Sequence, residues 1–256
     1  MFHIGALAPT LDSGAELLRR VRAGGAARLG TRPHPELTLS WAPLATASTP
    51  WQRGDVETVR TQLALSSVRL REAGAHFFVC TDDTAYVPLE APGAELAIPG
   101  LHAAPVVAAE AQRLGFARVG VLGTRWTLGW ARYADHLAPM GISAVPLPLW
   151  EETTLHSIIF DELVHGRYSL QSRDVVLGIL EGLRREGCQA VVLGCQELTS
   201  LVTPASSPLP LLDTTTLLAD AALAVAVGDA PLPLWRGGLH ESGAWTPQSH
   251  EHHHAR

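Results

Sequence analysis

Cys195 and Asp82 are the side chains whose type and placement best suit chemistry. Arg71-Glu72-Ala73-Gly74-Ala75-His76-Phe77-Phe78-Val79-Cys80-Thr81-Asp82-Asp83-Thr84 can be set beside Arg185-Glu186-Gly187-Cys188-Gln189-Ala190-Val191-Val192-Leu193-Gly194-Cys195-Gln196-Glu197 with Gly74 matched to Gly187. The apolar runs then coincide and Asp82 falls on Cys195. Two related half-domains would each aim one reactive group at a shared cleft, a layout suited to chemistry on both faces of one small molecule.

A strand-end cysteine is by default a small buried hydrophobe. Two features favour a working role for Cys195: its counterpart in the other half, and Gly194, which permits close backbone approach. The following Gln196-Glu197-Leu198-Thr199 reads as a helix start, and a thiol at a helix N-terminus is expected to have a lowered pKa. Asp82 by itself would be a turn residue or helix cap. Opposite Cys195 it becomes a general acid or base. An ordinary aspartate has a pKa of about 3.9, and a dry cleft plus the adjacent Asp83 would raise it toward a useful value. The hydroxyls of Thr10, Thr84, Thr124 and Thr127 fall near expected strand ends. With neighbouring backbone amides they could hold a carboxylate. Together with Asp83, Gln196 and Glu197 they form the expected substrate-binding set. Cys80 is read as core, Cys188 as structural, and His102 as the cap of the next helix rather than a catalytic base.

These groups need a scaffold, and the chain alternates strand-like and helix-like runs. Ile4 to Leu7, Glu36 to Trp41 and Phe77 to Cys80 are strand-like. Ser13 to Arg28, Asp55 to Gly74 and Ala103 to Leu114 are helical, with Asp55 as N-cap and Gly74 as stop. The pattern then repeats. Val119 to Leu122, Ser143 to Leu147, Ala190 to Leu193 and Leu209 to Leu212 are extended. Thr127 to Leu137, Leu155 to His165, Ser172 to Gly187 and Thr214 to Val227 are helical. Such alternation implies α/β architecture, with parallel sheets covered on both faces. Two tandem units imply a pseudo-twofold, with an interlobe cleft at the carboxyl ends of the strands. Thr10, Asp82, Thr124 and Cys195 all lie just after strands. The expected division is residues 1–102 plus 213–228 for lobe 1, 103–212 for lobe 2, and a flexible Pro/Gly/His-rich tail over 229–256. The cluster His250-Glu251-His252-His253-His254 is read as part of that tail, with no metal site.

The composition narrows the chemistry. Of 256 residues, 46% are hydrophobic and 17% charged, enough apolar material for two cores. All 19 basic residues are arginines. Without lysine, no pyridoxal Schiff base and no Walker-type phosphate loop can form. A net charge of −6 without basic clusters argues against nucleic acid, and no apolar run suits a membrane helix. The odd cysteine count and the absence of a signal-like start point to a reduced cytoplasm. A homodimer is left open.

The chain resembles the aspartate/glutamate racemase superfamily, and within it the branch that includes the enterobacterial aspartate/glutamate racemase. The resemblance runs to about Val227. Arg118-Val119-Gly120-Val121-Leu122-Gly123-Thr124-Arg125-Trp126-Thr127 carries it most strongly. Ile158-Ile159-Phe160-Asp161-Glu162-Leu163, Gly194-Cys195-Gln196-Glu197 and Leu212-Asp213-Thr214 support it. It implies two pseudo-symmetric Rossmann-like lobes, no cofactor, and two-base exchange of an α-proton, with Cys195 at the family's second-half cysteine. The first-half signature, Cys or Thr followed by Asn-Thr, a small or apolar residue and His, falls on Asp82-Asp83-Thr84-Ala85-Tyr86, the register set by the internal repeat. Only Thr84 is retained. Gln196 replaces a Thr, and the glycine-rich early stretch is here Ala8-Pro9-Thr10-Leu11. An Asn amide can donate to a substrate carboxylate, whereas an Asp carboxylate repels one, so a dicarboxylate is disfavoured.

The expected function is therefore a cofactor-independent racemase or epimerase of an amino acid or related carboxylic acid, with Cys195 and Asp82 as opposed bases. Two alternatives remain. One is a decarboxylase or isomerase of the same superfamily using a single cysteine. The other is a non-catalytic small-molecule binding protein.

Overall fold

A computed structural model of the chain describes residues 1–42, 54–93, 95–129 and 132–239. Among them, two sheets of four parallel strands are flanked by helices. The first contains β1 (Ile4–Ala8), β2 (Leu37–Trp41), β3 (Phe77–Cys80) and β4 (Gly100–Leu101), in the order β2-β1-β3-β4. The second contains β5 (Arg118–Gly123), β6 (Ser143–Val145), β7 (Ala190–Gly194) and β8 (Leu211–Asp213), in the order β6-β5-β7-β8. The order is the same in both halves. Gly5 pairs with Phe78 in the first sheet as Gly120 pairs with Val191 in the second. Every residue of β3 and of β7 is buried, as expected of central parallel strands covered on both faces.

The helices preceding β3 and β7 explain why the two chemical ends match. α1 (Leu11–Leu29) is followed by α2 (Val56–Glu72), whose N-cap Asp55 accepts from the Thr58 amide at 3.0 Å. In the second half the equivalent is α8 (Leu170–Arg185), capped by Ser169. Each ends in a left-handed glycine, Gly74 at φ 90° and Gly187 at φ 82°. The same pair of bonds closes both ends: Gly74 N to Arg71 O with Ala75 N to Leu70 O, and Gly187 N to Arg184 O with Cys188 N to Leu183 O. The strands therefore leave their helices in the same way, and Asp82 and Cys195 emerge at corresponding points.

The remaining helices are α3 (Tyr86–Glu90), α4 (Ala103–Arg113), α5 (Arg125–Gly129), α6 (Arg132–Leu137), α7 (Leu149–Ser157) and α9 (Thr214–Val227). The helix expected over Thr127 to Leu137 is present as α5 and α6, with residues 130 and 131 outside the described set. The helix expected from Leu155 starts earlier, as α7 at Leu149, and does not continue regularly. It passes into a π-helical turn, Ile158–Glu162, and a 3₁₀ turn, Leu163–His165. Such widened turns break the regular helix ladder and recur at functional sites. α9 follows β8 in sequence, yet its Leu218, Ala222 and Leu223 share a core with Leu17 of α1 and Ile4 of β1.

The expectation of a loose tail from residue 229 is overturned over residues 229–239. Ala230 and Trp235 are each only 8% exposed. Trp235 stacks on Tyr86 with ring centroids 5.9 Å apart, and its carbonyl accepts from Gly100 N at 2.8 Å. Burial of one large aromatic outweighs the loose, proline-rich character of its flanks. Residues 240–256, with the histidine cluster, lie outside the described set. Among the described residues no helix is long and apolar enough to cross a membrane, and no group of three His, Cys, Asp or Glu side chains could hold a metal ion.

Candidate active site

Thr10, Asp82, Thr84, Thr124, Cys195 and Glu197 line one cleft, closed on one side by Ile159, Phe160 and Val164. Thr10 and Asp82 come from the ends of β1 and β3, and Thr124 and Cys195 from the ends of β5 and β7. The apolar wall comes from the π and 3₁₀ turns after α7. The cleft is narrow, with about 30 Å³ of room, enough for one or two waters.

Cys195 is 9% exposed and its thiol donates to Glu197 Oε2 at 3.0 Å. Burial pushes the thiol well above the usual range, and the carboxylates of Glu197 and Asp82 push it further. This reverses the sequence expectation of a lowered thiol pKa. The turn after Cys195 is a short 3₁₀ helix, Gln196–Ser200, rather than an α-helix with a full dipole. Desolvation and like charge outweigh a terminus of that length. Cys195 is thus a proton donor at rest.

Asp82 moves as expected, to about 7. Burial is the main cause and the Glu197 carboxylate the next; Asp83, the neighbour invoked from sequence, contributes less. The Thr84 amide donates to Asp82 Oδ1 at 2.8 Å and opposes the rise. Asp82 therefore lies within reach of both protonation states near neutrality. Glu197 ties the two halves together: Thr10 Oγ1 lies 3.3 Å from its Oε1 and 2.7 Å from Ser13 Oγ, which in turn is 2.7 Å from Thr81 Oγ1. Across the lobes Thr84 Oγ1 lies 3.1 Å from Thr124 Oγ1, giving a pair of adjacent hydroxyls in the cleft.

Three residues of the expected set stand outside the cleft lining. Asp83 is buried behind it, where Tyr133 donates to Oδ1 at 2.6 Å and Thr214 Oγ1 lies 3.0 Å from Oδ2. Thr127 is buried beside Thr124, its amide donating to Thr124 Oγ1 at 3.2 Å. Gln196 turns its amide to Thr199 at 3.0 Å and lines a neighbouring groove instead. Gly194 is needed for close approach: a Cβ there would stand 3.0 Å from the Leu122 carbonyl and 3.2 Å from Thr127 Cγ2. Cys80 is core, 1% exposed, and Cys188 is buried in the second sheet's core. His102 caps α4 through the Ala104 amide at 3.3 Å. Burial holds its ring down to about 3, and the neutral ring donates to Glu90 Oε1 at 2.5 Å. Sequence reasoning missed the apolar wall and the buried partners Tyr133 and Thr214. The run Ile158 to Leu163 was legible as part of a helix and as a family-like segment, but not as a wall of the cleft.

A cleft between two repeated α/β lobes, lined by an acidic group from one and a thiol from the other, defines a class, and comparison with known proteins gives the same one. Residues 4–222 match the Asp/Glu/hydantoin racemase family, and the chain belongs to that family. Among solved structures it is similar to a candidate Asp/Glu racemase of Yersinia pestis, at 27% identity and TM-score 0.76, over 89% of this chain and 100% of that one. It is also similar to an aspartate racemase homologue of Pyrococcus horikoshii, at 21% identity and TM-score 0.69 over 89% and 100%. For the glutamate racemase of Aquifex pyrophilus the values are 17% and 0.59, over 86% and 82%. The last two likenesses concern the fold alone.

Proposed function

We propose that the protein is a cofactor-independent racemase or epimerase that moves the α-proton of an amino acid between Asp82 and Cys195. The observation that carries this reading is the position of those two groups at corresponding strand ends, lining one cleft, with complementary protonation preferences. Ionised Asp82 accepts the α-proton from one face, and the bond's electron pair passes into the substrate carboxylate. The Cys195 thiol gives its proton to the opposite face. The product leaves with inverted configuration, and the enzyme holds a protonated Asp82 and a thiolate, the form that reacts in the reverse direction. Glu197 receives the thiol hydrogen bond at rest and holds the thiol in place until its proton is delivered to the substrate. The adjacent hydroxyls of Thr84 and Thr124 are suited to hold the substrate carboxylate as charge builds on it.

Incubation with a panel of L- and D-amino acids in deuterium oxide, followed by proton NMR and chiral chromatography, tests the reading. The expected result is inversion accompanied by loss of the α-proton signal. Inversion without solvent deuterium, or no exchange with any amino acid, contradicts it. Turnover that needs Cys195 but survives loss of Asp82 would instead favour a one-cysteine decarboxylase or isomerase.

A further inference from the structure

The cleft's charge and wall narrow the substrate beyond the family description. Among the described residues no arginine or histidine lines it, and the chain has no lysine. Its ionisable groups are the carboxylates of Asp82 and Glu197 and the thiol of Cys195. These acids lie close enough for Glu197 to act on both of the others. The remaining polar lining is neutral, from Thr10, Thr84 and Thr124. The rest is Ile159, Phe160 and Val164. Phe160 extends this wall outward, packing edge-on against Trp126 at 5.1 Å and tilted against His156 at 4.7 Å.

A ligand carboxylate placed by the threonine hydroxyls is tolerable, because hydroxyls donate to it. A second carboxylate would sit against Asp82 and Glu197 or against hydrocarbon, and both placements cost free energy in a poorly solvated cleft. An ammonium group fits the acidic side, and an apolar side chain fits the opposite wall. We propose that the substrate is an α-amino acid with an uncharged, predominantly apolar side chain, with the Ile159–Phe160–Val164 wall as its side-chain subsite and dicarboxylic amino acids excluded. This rests on the racemase reading for its reaction, but not for its binding selectivity. Arg167, the arginine nearest the wall in sequence, donates to the Asp161 carbonyl, and Arg125 stacks its guanidinium on Trp126 at 4.8 Å.

The test has two arms on the full chain. In the first, kcat/KM for α-proton exchange is compared for alanine, valine, leucine and methionine against aspartate and glutamate. The best apolar amino acid is expected to exceed both dicarboxylates by tenfold or more, and a faster dicarboxylate overturns the proposal. In the second, the Cys195→Ser protein is titrated with the same compounds, following thermal stabilisation. Stabilisation by the apolar amino acids and less by the dicarboxylates supports the proposal even if no exchange is seen, in which case only the racemase reading fails. Stronger stabilisation by aspartate or glutamate, or none by any compound, overturns it. Phe160→Ala is expected to shift the preference toward larger apolar side chains, and an unchanged ranking counts against the subsite.

Discussion

Glu197 Oε2 accepts the thiol of Cys195 at 3.0 Å, while its Oε1 lies 3.3 Å from Thr10 Oγ1 of the other half. One carboxylate thus keeps the thiol protonated at rest, raises the pKa of Asp82, and braces the cleft between two strand ends. Glu197→Gln should therefore do more than remove a contact. Activity is expected to fall by about 10²-fold, the scale of losing a proton-transfer partner. The pH at which activity begins to rise should move below that of the unaltered protein, since a charge that holds Asp82 up is gone. A pH–rate series on both proteins checks this.

The pH dependence of the unaltered protein follows from the same pair. The productive form carries one proton shared between Asp82 and Cys195, whichever enantiomer binds. kcat/KM should rise as Asp82 ionises through about 7 and fall only when the thiol ionises in the alkaline range. The two enantiomers must share one profile, because their equilibrium constant is unity at every pH. Initial rates for both, measured across pH 5 to about 10, test it.

Asp82 also links activity to stability. Its folded pKa of about 7 lies above its unfolded value, so it favours the folded state most below about pH 4 and loses that contribution as pH rises through about 7. Asp82→Asn keeps an acceptor for the Thr84 amide but cannot ionise. Compared with the unaltered protein, it should be more stable at pH 8 and little changed at pH 4. Urea unfolding at the two pH values decides.

Asp83 has a different role from its neighbour. Its buried carboxylate accepts from Tyr133 and faces Thr214. Asp83→Ala leaves two buried hydroxyls without this acceptor and is expected to cost about 1–3 kcal/mol. Asp83→Asn should cost less, because one oxygen remains. Chemical denaturation of both variants measures the difference.

Removal of residues 230–256 takes away Trp235, which covers Tyr86 and His102. The shortened chain should unfold at a clearly lower temperature, and loss of one large buried aromatic alone typically costs about 3–5 kcal/mol. An unchanged melting temperature would contradict the packed strap.

The repeat was legible because its signals are local. Gly74 and Gly187 stop their helices with the same bonds, and the apolar runs after them form buried strands. Asp82 and Cys195 could therefore be placed at the cleft from spacing alone. The partners of Asp83 could not, because Tyr133 and Thr214 lie far away in sequence and no local pattern marks them. The direction of the Cys195 shift was misjudged because a helix start and a short 3₁₀ turn look alike in sequence, while desolvation depends on packing. The break after Ser157 was hidden too, since Ile158, Ile159 and Leu163 fit an ordinary helical spacing.

The opposed roles of Asp82 and Cys195 are tested most directly by exchange in single variants. Cys195→Ala and Asp82→Asn are each incubated with the separate enantiomers of a turned-over amino acid in deuterium oxide. Each variant should lose racemisation yet still exchange the α-proton of one enantiomer, with opposite handedness in the two proteins. If both variants exchange the same enantiomer, or Asp82→Asn racemises at an undiminished rate, the two groups do not act from opposite faces.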